Sequence, residues 1–519
     1  MKKYFSLYIF MLCGLLYATD AAALAYTCDS PGCNNLTISN TSEYDVLKIE
    51  KDGVAENINF SSKKVNISYG VLNNSVINSG YLRLYGTSVT NNLLLNGGQV
   101  YLYAGTEINN LTGKDADGSS YSFSKAADEE DNLTIHNKFI YTVPSKNETE
   151  NITVLSGGIL DTSVDRILRN SYIHTDGKLW FSSGTTLDNV TVCQSTGKCT
   201  VLNRNGGSSV DGMELLKGMV LLSETNEIIS GVVINGGSLS LYAEGSKAQG
   251  ITLNSGTVTV STSAFNSIIN GGYFYLHGES DNTEVRGGNF SAEGRSIAKN
   301  IYIYEGGLTF YDNAEVKNAQ FIFDDLSKNY TFNKEANQTG GFDIRDRMTY
   351  YSRISTSENN VYEGGYLRID GKAYDSMVNG GSMAVFGQAY NTKFNDGILY
   401  LRDGSLTEGL VASGGTVYGY SGSALRNIVM KAGSKLNLYR SESIEDGKPV
   451  VSTVELSGDI AIDKDASLIG SYDYSRFFTG GKEANLILLN GVNQKFGNVL
   501  HNVEDNKSLT FSDADYKIS

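Results

Sequence analysis

One unit recurs every 16 to 19 residues along this chain. A glycine pair opens it, alternating residues follow, and a small polar turn leads to a second apolar residue just before the next glycine. The segment GGSLSLYAEGSKAQGITLNSG (236–256) shows a full copy, and GGYFYLHGESDNTEVRGG (271–288) repeats it. The second glycines fall at Gly80 and Gly98, then at Gly237, Gly256, Gly272, Gly288 and Gly307, and again at Gly365, Gly381, Gly397, Gly415 and Gly433. A short fixed period means one supersecondary unit stacked on copies of itself.

The register is clean at all of these glycines except Gly307 and Gly433, which slip by one. Two residues on stand Leu82, Val100, Leu239, Val258, Phe274, Phe290, Leu367, Met383, Leu399 and Val417. With 40% of the chain apolar, chance would give that run about once in ten thousand tries. Four residues on, the position is again apolar, from Leu84 and Leu102 to Leu401, with Gly419 the exception. The residue between is polar or aromatic, as in Arg83, Tyr101, Ser240, Arg368 and Tyr400. Such alternation is a strand with one buried face. A second apolar position three before the next glycine (Ile77, Leu95, Ile234, Leu253, Val378, Phe394) marks a shorter strand. Between the two strands lie turns such as GTSVTN, EGSKAQG and GESDNTE. Glycine makes the corners because it reaches positive φ without a Cβ clash. The expected fold is all-β: a parallel β-helix, or β-solenoid, with two strands per coil. At about 18 residues per rung and ~4.8 Å between rungs, some twenty rungs would make a rod of about 100 Å. Only 3 prolines occur, as expected where backbone N–H groups are needed for pairing.

Residues 1–25 read as a secretory signal. Lys2 and Lys3 precede an apolar run, and Ala23-Leu24-Ala25 offers small residues for cleavage before Tyr26. No later segment reaches the length of a membrane-spanning helix, so no integral membrane segment is expected after cleavage. The net charge of −15 and pI near 4.9 argue against nucleic acid or an anionic membrane as partner. Cys13 leaves with the signal, and Cys28/Cys33 and Cys193/Cys199 remain as two close pairs. In an exported protein these read as short-loop disulfides; the rival, a four-thiolate zinc site, lacks Cys-x-x-Cys spacing.

After the signal, 26–65 reads as an N-terminal cap or lead-in. Repeats run through 66–440, broken by loop excursions at 113–150 and 321–350. Segment 441–519 keeps strand-like runs but loses the period, as a C-terminal cap or degenerate coils would.

The unit resembles the strand-loop-strand repeat of AIDA-type autotransporter adhesin passengers. GGSMAVFGQAYNTKFNDG (380–397) and SGGTVYGYSGSALRNIVMKAG (413–433) carry the likeness. The resemblance implies a β-helix passenger secreted by, or displayed on, a Gram-negative outer membrane and used in adhesion or self-association. Its partners would be host or bacterial surface glycans or proteins. Some members of that family carry O-heptose on turn Ser and Thr, and Ser246 and Thr283 lie in comparable turns. The family pattern ends in a membrane β-barrel, which these residues do not display. A separate outer-membrane translocator, or an origin as a truncated autotransporter, would account for that.

No cofactor, phosphate-loop or metal motif is present in the sequence. A carbohydrate-active β-helix enzyme, lyase or hydrolase, is the main alternative, and it needs carboxylates placed as acid and base. Asp324 and Asp325, or Asp343 and Asp346 beside Arg345 and Arg347, are the available candidates, and solvated turn residues are the plainer reading. His136, His174, His277 and His501 are scattered and read as surface residues. The better candidate is an outward stripe. Tyr85, Tyr103, Tyr242, Phe386 and Tyr420 share the fifth position after the glycine, and Tyr101, Tyr275, Tyr400 and Tyr418 share the third with Arg83 and Arg368. Stacked rungs would line these into ladders of the kind that bind sugars or proteins. The plainer reading is that the rings stack on one another and shield the sheet.

Overall fold

The computed structural model describes residues 25–28, 32–39, 46–143, 148–162, 166–182, 184–194, 197–204, 209–439, 441–445, 448–452, 454–463, 466–470, 484–489, 493–496, 499–502 and 508–511. Apart from Ala25, the expected signal segment lies outside them. The described residues form a parallel β-solenoid whose coils lie about 18 residues apart. Val100 pairs with Leu82 and Leu102 with Leu84, and all four are buried. The positions two and four after the glycine are therefore the inward ones. Burying each such side chain stabilises the coil by ~1.5–3 kcal/mol.

Each coil holds three short strands, where two were expected. The supposed turns contain the third. Lys247–Gln249 lies inside EGSKAQG, Val89–Leu95 begins within GTSVTN, and Glu279–Val285 begins within GESDNTE. Pairing is regular there too, with Ala248 opposite Ile229 and Ala264. The inward residues of this strand include Thr90, Ala248, Ala264, Ser280, Ala298 and Ala373, all buried. These side chains are small because the strand lies between two corners. An apolar pattern built on Leu, Ile and Val did not mark them.

The additional corner is made by a residue in the left-handed region. Asn74, Asn92, Asn266, Asn282, Asn391 and Asn427 have φ between +47° and +56°, and Gly231, Gly250 and Gly409 take the same place with φ +61° to +74°. Asparagine tolerates this conformation better than most residues because its short amide bonds locally. Stacked corners then bond to one another: Asn92 Nδ2 donates to Asn74 Oδ1 at 3.1 Å, and Asn110 Nδ2 donates to Asn92 Oδ1 at 3.1 Å. The position falls six before the second glycine of a pair, where Asn, Gly or Asp (Asp375) stands in every clean unit from Gly80 to Gly415; in the unit of Gly365 the left-handed residue is instead Glu358, one earlier, at φ +55°. That signal is present in the sequence and was not used.

The chain forms two compact units, Met1–Ile268 and Ile269–Ser519. In the first, two antiparallel hairpins interrupt the coil. Glu107–Lys114 turns back through Ser120–Lys125, and Thr186–Cys193 turns back through Cys199–Arg204. The returning strand occupies the edge on which the next coil would pair. Thr134–Ile135 accordingly starts a separate sheet with Thr153–Val154 and Tyr172–Ile173. The opposite face continues, since Phe139–Thr142 pairs directly with Gln99–Leu102. In the second unit Glu315–Phe321 turns back through Tyr330–Lys334 in the same way.

Each returning strand ends in a cation. Lys125 Nζ donates to Thr106 O and Ala126 O, both at 3.0 Å. Arg204 donates to Ser182 O at 3.3 Å and lies over Phe181. Lys334 Nζ donates to Asp312 O, Ala314 O and Glu335 O. Lys125 and Lys334 are each 1% exposed, so they plug the hairpin base with their charge spread over carbonyl oxygens. The excursions are thus narrower than the spacing predicted, because pairing resumes at Thr134 and Asp343. The 186–204 hairpin lies within the expected repeats and outside both expected excursions, since its length is close to one period. Beyond 441, Glu455–Asp463 pairs in parallel with Ala424–Met430, and Ala484–Leu489 pairs with Glu455–Asp463. Ser508–Phe511 runs antiparallel on that last strand.

Candidate functional site

Outward positions on the face that follows the glycine corner gather into a ladder in the second unit. Tyr311 pairs with Tyr351, Tyr351 with Arg368, Ala384 with Tyr400, and Tyr400 with Tyr418. Two residues further along each strand stand Phe386, Arg402 and Tyr420, with Tyr439 on the coil above. The side chains touch from coil to coil. Tyr311 and Tyr351 stack at 4.9 Å, Tyr400 and Tyr418 at 5.5 Å, and Tyr420 and Tyr439 at 5.3 Å. Guanidinium groups fill the places between rings. Arg353 lies 4.6 Å over Tyr311, and Arg368 lies 4.0 Å over Phe386. Arg402 contacts Phe386, Tyr400 and Tyr420 at 5.9, 5.2 and 4.6 Å. Rings packed this way keep part of their faces and edges in water, and both Phe386 and Tyr439 are exposed. Cation and ring hold each other in place at little entropic cost.

The first unit carries a smaller array. Tyr69, Tyr85 and Tyr103 stack at 5.2 and 4.3 Å, Tyr81 meets Tyr101 at 5.8 Å, and Arg83 lies 5.0 Å over Tyr101. Burial, then the neighbouring Tyr85, push the Tyr103 hydroxyl well above its ordinary value, so it stays neutral. Arg83 is only 8% exposed, which makes this array more of a cover for its sheet than an open platform.

Of the stripe read from the sequence, Arg83, Tyr85, Tyr101 and Tyr103 meet in the first array, and Arg368, Tyr400, Tyr418 and Tyr420 meet in the second. Tyr275 stacks instead on its own strand neighbour Tyr273, at 6.1 Å. Tyr242 lies on a coil away from both arrays, its N–H donating to Ser223 Oγ at 3.0 Å. Arg353, Arg402, Tyr311, Tyr351 and Tyr439 were missed. Arg402 holds the fifth position after Gly397, so the register already marked it. Tyr311 and Tyr439 follow the two slipped glycines, and Tyr351 follows the third hairpin, where Arg347 (φ +66°) and not a glycine stands at the corner.

The carboxylates proposed for catalysis do not converge. Asp325 caps a 3-10 turn, accepting from Ser327 N at 3.1 Å and Ser327 Oγ at 2.6 Å, and those bonds hold its carboxyl below the ordinary value. Asp324 is an exposed hairpin residue. Asp343 pairs with Arg345 at 3.0 Å and accepts from Asn360 Nδ2 at 3.0 Å. Asp346 contributes its backbone oxygen to Tyr330 Oη at 2.5 Å. Arg345 is held between Tyr330 and Tyr362, and Arg347 lies 4.1 Å over Phe323. These groups brace the third hairpin.

Histidine His136 departs from the surface reading. Its Nδ1 lies 3.1 Å from both oxygens of Asp115 and its ring stacks on Tyr121 at 4.1 Å, so it clamps the first hairpin to the next coil. His174 is exposed beside Tyr172, His277 is exposed, and the side chain of His501 lies outside the described residues. Cys28 and Cys33 are joined, as are Cys193 and Cys199; the second bond crosslinks the second hairpin across paired residues. Ser246 and Thr283 are corrections. They are 1% and 0% exposed, with hydroxyls bonded to Ser223 and Thr262 and to Ser280. They face the interior because their turns contain the third strand, and no sugar can reach them in the folded coil. A groove of about 450 Å³ in the first unit, lined by Asp176, Lys178, Trp180, Lys217, Ser238 and Ser240, had no sequence signal beyond the single tryptophan.

No known family model matches the chain, and no curated protein matches it. Among solved structures, one similar chain is a crystal structure of a hyper-glycosylated TibA fragment whose glycosylation is catalysed by TibC. It is 15% identical, and the match covers 68% of this chain and 96% of that one with a TM-score of 0.22. A score that low leaves the fold resting on the strand register of this chain itself.

Proposed function

We propose that this chain is an exported β-solenoid passenger, displayed at or released from a bacterial surface, that acts by binding rather than by catalysis. The observation that carries the reading is the aromatic and arginine ladder of the second unit. It is an ordered, half-exposed surface repeated from coil to coil, where each rung adds a weak contact and an extended partner sums them. The likeness of the repeat to AIDA-type adhesin passengers supports the same role, with surface glycans or proteins of host or neighbouring bacteria as partners, and self-association as a variant of it. Export fits the two local disulfides. Among the described residues no helix is long and apolar enough to cross a membrane.

The test is direct. Purified chain is added to cultured host cells and to bacteria lacking the gene, and binding and aggregation are scored. The same protein is incubated with a panel of polysaccharides and the product lengths are measured. Saturable binding or aggregation without depolymerisation is the expected result. Depolymerisation that is lost on Asp343→Ala or Asp324→Ala would replace this reading with the enzymatic one.

A further inference from the structure

The ladder of the second unit gathers three arginines, Arg353, Arg368 and Arg402, among its rings. Several exposed arginines elsewhere sit beside carboxylates, as Arg286 does with Glu284, Arg345 with Asp343 and Arg426 with Glu408. On the ladder, Arg368 uses its Nε for Asp370 at 2.8 Å. Among the described residues, neither the exposed Arg353 nor the half-buried Arg402 has a carboxylate partner. These guanidinium groups lie 4.0–5.9 Å from ring centroids, and no described carboxylate takes up the N–H groups of Arg353 and Arg402. In a chain of net charge −15, this face therefore carries positive charge beside its rings.

We infer that this face binds a linear polysaccharide bearing uronic acid carboxylates, laid along the column of coils. The inference rests on the binding role proposed above and names its ligand. A pyranose ring presents an apolar C–H face that packs on tyrosine and phenylalanine rings. A sugar carboxylate accepts the paired N–H groups of a guanidinium in a bidentate fork. One sugar is about as long as one rung is tall, ~4.8 Å, so successive residues of a glycan meet successive rungs. Charge complementarity decides between acidic and neutral chains, and the fork geometry suits a planar carboxylate.

The experiment measures binding of the whole purified chain to polygalacturonate, to the same polymer fully methyl-esterified, to dextran and to dextran sulfate. Polygalacturonate is expected to bind and to weaken as salt rises, while the methyl ester and dextran bind at least about tenfold more weakly, because the charge-assisted bonds are gone. Arg402→Ala and Arg353→Ala should each lower polygalacturonate affinity by roughly tenfold. Arg402→Lys, which keeps the charge but loses the fork, should fall in between. Melting curves matching the wild type show that the variants are folded; Arg402→Lys and the methyl ester keep the test decisive where an alanine variant is not. Equal binding of the methyl ester, or binding of dextran sulfate alone, overturns the carboxylate assignment. Cell binding that survives both arginine substitutions overturns this inference while leaving the adhesive role standing. Absence of cell binding by the wild type overturns the adhesive role itself.

Discussion

Gly397→Ala is the sharpest test of how the coils are stacked. Gly397 has φ +105°, and a Cβ built there would lie 2.0 Å from the carbonyl oxygen of Gly381 on the coil below and 2.9 Å from the carbonyl carbon of Gly380. Two effects add. A residue with a side chain held at that φ is strained by ~1–3 kcal/mol. The clash is with backbone, so no rotamer change relieves it, and the two coils must separate locally. Losing one or two ladder hydrogen bonds adds ~1 kcal/mol each. The expected destabilisation is therefore about 2–5 kcal/mol. Gly404→Ala is the control, since Gly404 also has positive φ (+74°) but nothing within 4 Å of the added atom; it should cost only ~1–2 kcal/mol. A long repeat array does not unfold in two states, so local amide exchange is the assay. Amides of 380–400 should lose protection in Gly397→Ala far more than in Gly404→Ala. Equal loss in the two variants would refute the argument that coil-to-coil contact, and not φ alone, demands the paired glycine.

Other outcomes follow from the same geometry. Lys334→Met leaves the carbonyls of Asp312, Ala314 and Glu335 without their shared donor and should destabilise the third hairpin by about 2–4 kcal/mol, read as faster exchange in 315–334. Burial pushes the Lys334 ammonium down to about 8 from 10.5, so the unfolded chain holds that proton more tightly than the folded one. The stability of this hairpin should accordingly rise with pH from about 8 to about 9.5, below the range where tyrosines titrate; a fall over that window would contradict the burial account. Cys193→Ser with Cys199→Ser should cost about 2 kcal/mol by the loop-closure relation, confined to the second hairpin and matched by adding reductant to the wild type. Asn92→Ala loses a left-handed corner and both amide ladder bonds, for about 2 kcal/mol, whereas Asn92→Gly should lose less; melting of the two variants separates the φ term from the ladder.

The inward register was legible because two positions per coil must be large and apolar, and Leu82, Val100, Leu239 and Leu399 kept to that rule. The third strand was not legible by the same reasoning, because Thr90, Ala248 and Ser280 are buried by their position near corners and not by their hydrophobicity. The asparagine corner left a signal that only a search for left-handed residues would notice. The second hairpin escaped because its length mimics a coil, while the other two overlap the expected excursions; the plugs Lys125, Arg204 and Lys334 look like surface cations until the carbonyls around them are seen. For the site, the offset from the glycine pair found half of the ladder. Tyr351 and Tyr439 required the coil order itself, since hairpins and slipped glycines shift the count without shifting the stack. Ser246 and Thr283 failed for a related reason, as a turn that hides a strand also turns a hydroxyl inward.

The central claim is that binding belongs to one face of the second unit. The measurement that tests it compares two triple variants in the cell-binding assay, each with an unchanged melting curve. One, Arg402→Ala with Tyr400→Ala and Tyr418→Ala, strips the ladder; the other, Lys372→Ala with Lys393→Ala and Glu408→Ala, strips charge from the other strands of the same coils. The account predicts that binding is lost in the first and kept in the second. Binding kept in the first, or lost equally in both, would contradict it.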